Sequence, residues 1–503
     1  MIQKKTKKYV PVIAILFAFL FVTGCEDWLQ VEPDQGLIIT EYWKSREDVE
    51  ATLMTAYRNF ALMDESLFLY GEIRGDMVRA GNNVRLADDR ILDNNITPDN
   101  QLCQWAAFYK VIHHCNLVLE HSDGVMEADP NFTQVTLKAF KAEALFLRSL
   151  AYFYLVRIYK DVPLVLQSSE TDNVDFFLEK TEGPVVLDTL VNQLETARTF
   201  MPRNRDYGTP AANRGRATYG AINALLADIH LWSFDYDECL EAIANIEAQQ
   251  QYFLMSPGDY FDIYYPGNSL EGIFELQLDK SINLNNSTWP LTYNTKRFNV
   301  SDYALELLNP ELSNEIIRGN ASICVDYDFH NNKNAEFIWK YCGSNPDGRS
   351  VRPSSENRSA NFVIYRYADI LLMKAEAFSQ TNRYDEALAV INEIRTRASM
   401  PVINTLVNTP TAFEDQIMEE RAKELAYEGK RWFDLLRMGR RNNYARKEDL
   451  IEIMIRNVPA TQKRILATRL VDPMGWYLPI YEEELERNKA LVQNPYYQQY
   501  SAE

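Results

Sequence analysis

Histidine is nearly absent from this 503-residue chain, which holds five. Chemistry that moves protons through imidazole therefore has few candidates. Catalytic signatures are missing too: there is no G-x-S-x-G, no H-E-x-x-H, no P-loop and no dinucleotide fingerprint. A glycosidase needs only two carboxylates, but none of the 71 Asp and Glu is set apart by a motif. No enzyme activity and no catalytic residue are expected. Cysteine is sparse at six. Setting Cys25 aside leaves Cys103, Cys115, Cys239, Cys324 and Cys342, an odd number at low density, which excludes a disulfide scaffold. Cys103, His113, His114, Cys115 and His121 lie close in sequence, but their spacing fits no zinc motif. Positive charge is short, with 52 Lys and Arg against 71 Asp and Glu and a net charge of −19, so nucleic acid is not an expected partner. Beyond the N-terminus no apolar run is long enough to span a bilayer.

The N-terminus reads as an address. Lys4, Lys5, Lys7 and Lys8 precede an apolar run from Val10 to Val22, too short for a membrane span. The run ends in Val22-Thr23-Gly24-Cys25, which resembles the lipobox of bacterial lipoproteins, whose cysteine becomes the acylated first residue. Residues 1–24 are thus expected to be a signal peptide and Cys25 the lipidation site. Removal of residues 1–24 would take away four lysines and no acid, leaving 48 basic and 71 acidic side chains and a net charge of −23. So negative a chain is a poor match for anionic headgroups, and membrane attachment should rest on the anchor.

What the chain has in quantity is helical periodicity. Residues 46–60, 105–120, 140–159 and 184–200 carry apolar positions three and four apart, with Pro163 stopping the third segment and Pro184 opening the fourth. Two stretches look alike, Ala217 to Ile246 and Ile370 to Ile394. Each has a helix rich in small residues, a polar turn, and then Tyr236-Asp237-Glu238 or Tyr384-Asp385-Glu386 opening a second helix. This resembles the tetratricopeptide helix pair. Ile417 to Arg437, IMEERAKELAYEGKRWFDLLR, reads as one helix interrupted by Gly429, with Glu420, Glu424 and Glu428 on a shared face. Paired with neighbouring helices, those charges would make a clamp, Gly429 would permit close approach, and Trp432 would be buried. Residues 70–100 and about 252–360 lose periodicity and are expected to be long loops that carry function.

Four segments together resemble the SusD/RagB family of outer-membrane nutrient-binding lipoproteins of Bacteroidetes (starch-utilisation-system D-like). They are FKAEALFLRSLAYFYLVRIYKDVPLV from Phe140, YRYADILLMKAEAF from Tyr365, ERAKELAYEGKRWFDLLRMGR from Glu420, and YLPIYEEELERNKALVQNPYY from Tyr477. Two departures stand out: Lys160 where the family usually has Gly, and Tyr496-Tyr497 where it usually has Gly-Tyr. The resemblance implies a mainly α fold, with a scaffold of tetratricopeptide-like helix pairs and a large irregular, loop-rich ligand-binding region. The mature chain, 25–503, would be a single domain, its scaffold mainly 40–250 and 360–503 and its irregular insertion about 252–360. The resemblance also implies a SusC-like TonB-dependent transporter as partner, a glycan as ligand, and an outer-membrane location, lipid-anchored and exposed on the outer surface. Glu26-Asp27 is a short version of the acidic surface-export signal of such lipoproteins.

A glycan binder needs flat aromatic faces and hydrogen-bonding side chains, and no perturbed titration. The residues selected by composition are Asn82, Asn83 and Arg85 in the first loop, Trp289, Tyr293 and Asn294 in the second, and Trp339 and Tyr341 in the third. Trp289 follows Asn285-Asn286-Ser287-Thr288 and precedes Pro290, a pattern that predicts an exposed turn. Trp105, Trp232 and Trp432 fall on helical faces and are expected in the core. The alternative to a glycan is a peptide, as in RagB-like receptors, and the run of Arg74, Arg79, Arg85 and Arg90 suits it. A purely architectural helical adaptor, binding no small ligand, is a third reading. No cofactor is expected; calcium is the one ion that the oxygens of Asp88, Asp89, Asp93, Asn94 and Asn95 would suit, although their spacing is not that of an EF-hand.

Overall fold

A computed structural model describes residues 42–169, 177–324, 336–343 and 352–500. The signal peptide and Cys25 lie outside the described residues. The chain divides into two units after Lys44, and the fold below is that of the unit from Ser45 onward.

The scaffold is a row of helices stacked in chain order. Helix α1 spans Arg46–Ala61 and opens where the Asp48 carboxylate accepts the Ser45 backbone N–H at 2.8 Å. Short helices α2, Asp64–Glu72, and α3, Leu86–Leu92, follow. Next come α4, Ala106–Ala128, α5, Gln134–Tyr159, and α6, Gly183–Phe200. The pairs α7/α8, Tyr219–Ser233 and Tyr236–Glu247, and α9/α10, Tyr367–Gln380 and Tyr384–Arg397, are the two look-alike stretches. Helices α11, Pro410–Glu424, α12, Arg431–Tyr444, and α13, Glu482–Arg487, complete the set used here. Packing runs α1 on α4, α4 on α5, α5 on α6, α6 on α7, α7 on α8, α8 on α9, α9 on α10 and α11. Neighbours in sequence thus bury one another's apolar faces, as expected of helical repeats. Helix α5 is buried on every side from Ala142 to Tyr159, so it is the central rod rather than the one-faced helix its periodicity suggested. Lys160, the departure from the family pattern, ends it with φ of +71°, a conformation glycine adopts without strain.

Among the described residues the strands form three two-stranded antiparallel ladders, two of which tie the irregular region to segments outside it. Strand β1, Val78–Ala80, pairs with β3, Phe298–Val300; β2, Gly272–Leu276, pairs with β6, Phe362–Arg366; and β4, Ile323–Cys324, pairs with β5, Phe337–Ile338.

The segment Ile417–Arg437 is not one helix. Helix α11 stops at Glu424 and α12 starts at Arg431, and between them Tyr427 and Gly429 have φ of +63° and +73°. The break has two physical causes. A Cβ on Gly71 of α2 would lie 1.8 Å from the Gly429 carbonyl oxygen, so two backbones touch there. The backbone N–H groups of Gly429 and Lys430 leave the helical ladder to donate to the buried Glu72 carboxyl, at 2.8 and 3.2 Å. The clamp expected of this segment is present. Arg366, fully buried at the end of β6, donates to both oxygens of Glu428 at 2.9 Å and to Glu424 at 2.7 Å. Arg397 also binds Glu424, and Arg318 binds Glu420 at 2.7 Å. Arg431 reaches Asp76 at 2.8 Å, and Trp432 is buried. Burial acts to raise the Glu424 carboxyl, but the guanidiniums of Arg397, Arg366 and Arg318 outweigh it and hold the group well below the usual carboxylate range.

Candidate functional site

The residues selected from sequence separate into two groups. Asn82, Asn83 and Arg85 are exposed on the turn that leaves β1. That turn lies beside the residues entering β3: the Gly81 N–H donates to the Arg297 carbonyl at 2.8 Å, and Asn83 Nδ2 to the Thr295 carbonyl at 2.7 Å. Arg85 stands 3.6 Å from Glu65. The first and second loops are therefore neighbours, with Asn294 at the end of a π-helical turn, Pro290–Asn294.

The aromatic candidates turn inward, which corrects the expectation of exposed stacking faces. Trp289, Tyr293, Trp339 and Tyr341 are all buried. Trp289 was expected on an exposed turn because four polar residues precede it. Three of them, Asn286, Ser287 and Thr288, are hydrogen-bonded inside the protein. Asn286 is buried and accepts the N–H groups of Thr288 and Trp289 at 2.9 Å each, while the Asp64 carboxylate accepts the N–H of Ser287 at 2.6 Å. Burial raises the Asp64 carboxyl to about 6, against the lowering effect of the Ser287 N–H. Trp289 packs 6.4 Å from Tyr293, which meets Trp339 edge-on at 6.5 Å. Tyr341 stacks on Phe362 at 6.0 Å and meets Tyr264 edge-on. These rings form the core of the irregular region, because large aromatics bury the most apolar surface.

Two of the five residues considered for calcium, Asp88 and Asn94, are engaged within the protein. Asp88 holds the Arg297 guanidinium at 2.6 Å, and Asn94 binds Arg74 and the Met454 carbonyl. Among the described residues no group of three His, Cys, Asp or Glu could hold a metal ion.

A cleft of about 680 Å³ opens elsewhere, on the scaffold. Its floor is the start of α4. Trp105 sits at the helix N-cap and Tyr109 one turn on, their rings edge-to-face at 5.8 Å. One wall is the chain after α5. There the Tyr109 hydroxyl donates to the Pro163 carbonyl at 2.7 Å, and Asn116 Nδ2 to the Gln167 carbonyl at 2.9 Å. Tyr152 holds Val165 by donating to its carbonyl and accepting its N–H. The opposite wall is α13 and the residues after it, tied across by Asn488 Nδ2 to the Leu178 carbonyl at 2.8 Å. Into this space project Gln167, Ser169, His113, Glu484 and Arg487. Phe177 lies at its edge and is 59% exposed. Burial raises the Tyr109 phenol well above its ordinary value, so the ring remains a neutral donor. Such a cleft offers an aromatic surface with amide, hydroxyl and charged groups converging on it, at a volume typical of ligand sites.

Sequence reasoning missed this cleft. A signal for it existed: Asp161–Val165 and the stretch from Tyr477 onward are two of the segments that carried the family resemblance, and they form its walls.

Comparison with known proteins agrees with the architecture. The model of the SusD family matches residues 279–497, and a second model, described as starch-binding associating with outer membrane, matches residues 27–231. A SusD-like protein, P38, of Formosa agariphila is 26% identical over 98% of this chain and all of its own length. A SusD-like protein of Bacteroides ovatus is 23% identical over 83% of this chain and 80% of its own. A crystal structure of a SusD superfamily protein from Bacteroides vulgatus superposes with a TM-score of 0.73 at 21% identity, covering 90% of this chain and all of that one. Surface glycan-binding protein A from Bacteroides thetaiotaomicron, in complex with laminarihexaose, superposes with a TM-score of 0.70 at 22% identity, with the same coverage. The fold is thus the helical, tetratricopeptide-like fold of this superfamily. The two matching models between them span residues 27–231 and 279–497, so the chain is similar to the SusD/RagB family along most of its length.

Proposed function

We propose that this chain is a binding protein that captures an oligosaccharide or polysaccharide outside the cell and delivers it to a SusC-like TonB-dependent transporter. One observation carries the reading. The cleft beside Trp105 pairs an exposed aromatic, Phe177, with hydrogen-bonding side chains from three separate segments, the combination a sugar ring needs. The structural likeness to a protein crystallised with laminarihexaose supports it, as does the starch-binding description of the matching family model. The same reading has residues 1–24 removed as a signal peptide, Cys25 lipidated, residues 25–503 acting as one domain, and the body held at the outer surface of the outer membrane. No helix among the described residues is long and apolar enough to cross a membrane.

Calorimetric titration of the lipid-free chain against a panel of oligosaccharides tests the reading, with Phe177→Ala as the control. Binding that the substitution weakens about fivefold or more supports the cleft; a panel with no binder removes the glycan. Copurification of the full-length chain with an outer-membrane transporter tests delivery. Peptide capture is the second reading, favoured by the aliphatic side chains of Ile112, Leu178 and Leu491 in the same cleft. A peptide panel run beside the glycans decides between them.

A further inference from the structure

The charges of the cleft narrow the class of ligand, on the reading that the ligand is a glycan. Three lining side chains other than Tyr109 can carry charge: His113, Glu484 and Arg487. Arg487 is the only fixed cation among them, and its guanidinium is already engaged, 2.7 Å from Glu483 one turn back on α13. Glu484 has no hydrogen bond or ion pair to its side chain among the described residues. It is half-buried, and its negative charge acts on the phenols of both Tyr109 and Tyr159. His113 Nδ1 lies 3.3 Å from the Ser169 hydroxyl. The wall thus presents one uncompensated carboxylate, in a chain whose net charge is already −19.

A carboxylate only accepts hydrogen bonds, and vicinal sugar hydroxyls can donate to its two oxygens at once. A uronate or a sulfate ester would instead bring a second negative charge beside Glu484, where Arg487, the one fixed cation of the lining, already faces Glu483, and like charges there repel. We infer that Glu484 selects for neutral glycans by accepting a pair of sugar hydroxyls and that it excludes acidic ones.

The probes are neutral hexasaccharides (maltohexaose, laminarihexaose, xylohexaose, mannohexaose) and acidic ones of the same length (oligogalacturonate, oligomannuronate, a sulfated carrageenan hexasaccharide). They are titrated into the lipid-free chain at low and high salt. The inference expects the binders to be neutral, with affinity that changes less than twofold between 0.05 and 0.5 M salt, since screening acts on charge pairs and not on hydroxyl bonds. Glu484→Gln should weaken the neutral binder about tenfold, as loss of a charged acceptor does, while narrowing the gap to the acidic series. An acidic hexasaccharide that binds as tightly as any neutral one, and loses affinity as salt rises, overturns the inference and leaves the glycan reading standing. Unchanged neutral binding in Glu484→Gln overturns the role of Glu484 in the same way. Should no hexasaccharide of either series bind, the glycan reading and this inference fall together. A basic peptide that binds the parent but not Glu484→Gln would reassign the carboxylate to a cationic ligand.

Discussion

The seam around Arg366 and the cleft beside Trp105 use the same kinds of side chain in opposite ways. In the seam, Glu424, Glu428, Arg366 and Arg397 are removed from water and committed to one another. In the cleft, Glu484 keeps an open carboxylate and Gln167 and Ser169 remain partly hydrated. Charge density alone therefore does not mark a site. What separates the two regions is whether the polar groups are already satisfied by the protein. Satisfied groups hold elements together, and open ones are available to a ligand.

The sharpest way to break this contrast is to remove Arg366. Its guanidinium faces Glu424, Glu428 and Glu271, all buried. Arg366→Ala would leave three desolvated carboxylates each short of one cationic partner and should destabilise the fold by about 3–5 kcal/mol, read as a fall in denaturation midpoint. If the variant instead kept its stability and lost ligand binding, the seam would be a site after all.

Trp289→Ala comes next. A buried Trp in the aromatic core of the irregular region should cost about 3–4 kcal/mol when truncated, which a thermal melt would show directly. A melt unchanged from the parent, with binding reduced, would restore Trp289 to a ligand surface. The helical scaffold was legible because periodicity and the repeated Tyr-Asp-Glu openings are local properties. The clamp was legible because Glu420, Glu424 and Arg431 had few other uses in such a helix. Burial of Trp289 was not legible: it depends on Asp64, 225 positions earlier, receiving the polar turn that seemed to need water. The break at Gly429 was hidden for the same reason, since it is set by Gly71 and Glu72. Trp105 is buried as expected of a helical face, but cleft residues such as Tyr109 and Phe177 could not be selected because α13, which closes the space, comes nearly four hundred residues after the floor.

A smaller effect separates two carboxyls within the seam by pH. Glu424 is held ionised by its guanidiniums, so its contribution is full above the ordinary value of 4.5 and is lost only as pH falls far into acid. Glu72 behaves in the opposite sense. Burial outweighs the two backbone N–H bonds and raises it from 4.5 to about 8, and its Oε2 has no hydrogen-bond partner among the described residues, as suits a neutral carboxyl. Its stabilising contribution is therefore full below 4.5 and is lost as pH rises through 8. Glu72→Gln keeps an oxygen for Gly429 and Lys430 and carries no charge. It should match the parent near pH 5 and exceed it by about 2–3 kcal/mol at pH 9, part of the ~1.4 kcal/mol per unit that the full shift would give. Equal stability of the two across that range would show that Glu72 is charged when folded.

The finest comparison sets the cleft against the exposed turn after β1. Phe177→Ala should weaken ligand binding by about 1–2 kcal/mol, the scale of one aromatic contact, with the melt unchanged because the side chain is mostly exposed. Asn83→Ala together with Arg85→Ala removes one hydrogen bond to the Thr295 carbonyl and a 3.6 Å contact with Glu65, both at the surface. The pair should alter stability by no more than about 0.5 kcal/mol. Their effect on binding is the deciding measurement. With the ligand in the cleft, the double variant binds as the parent does and Phe177→Ala does not. With the ligand on the turn after β1, the order reverses, and the sugar would be held by amides and guanidinium at a face whose aromatic rings are all turned inward. That second outcome would require stacking to be dispensable, whereas the cleft supplies both stacking and hydrogen bonds, so the first order of effects is the one expected.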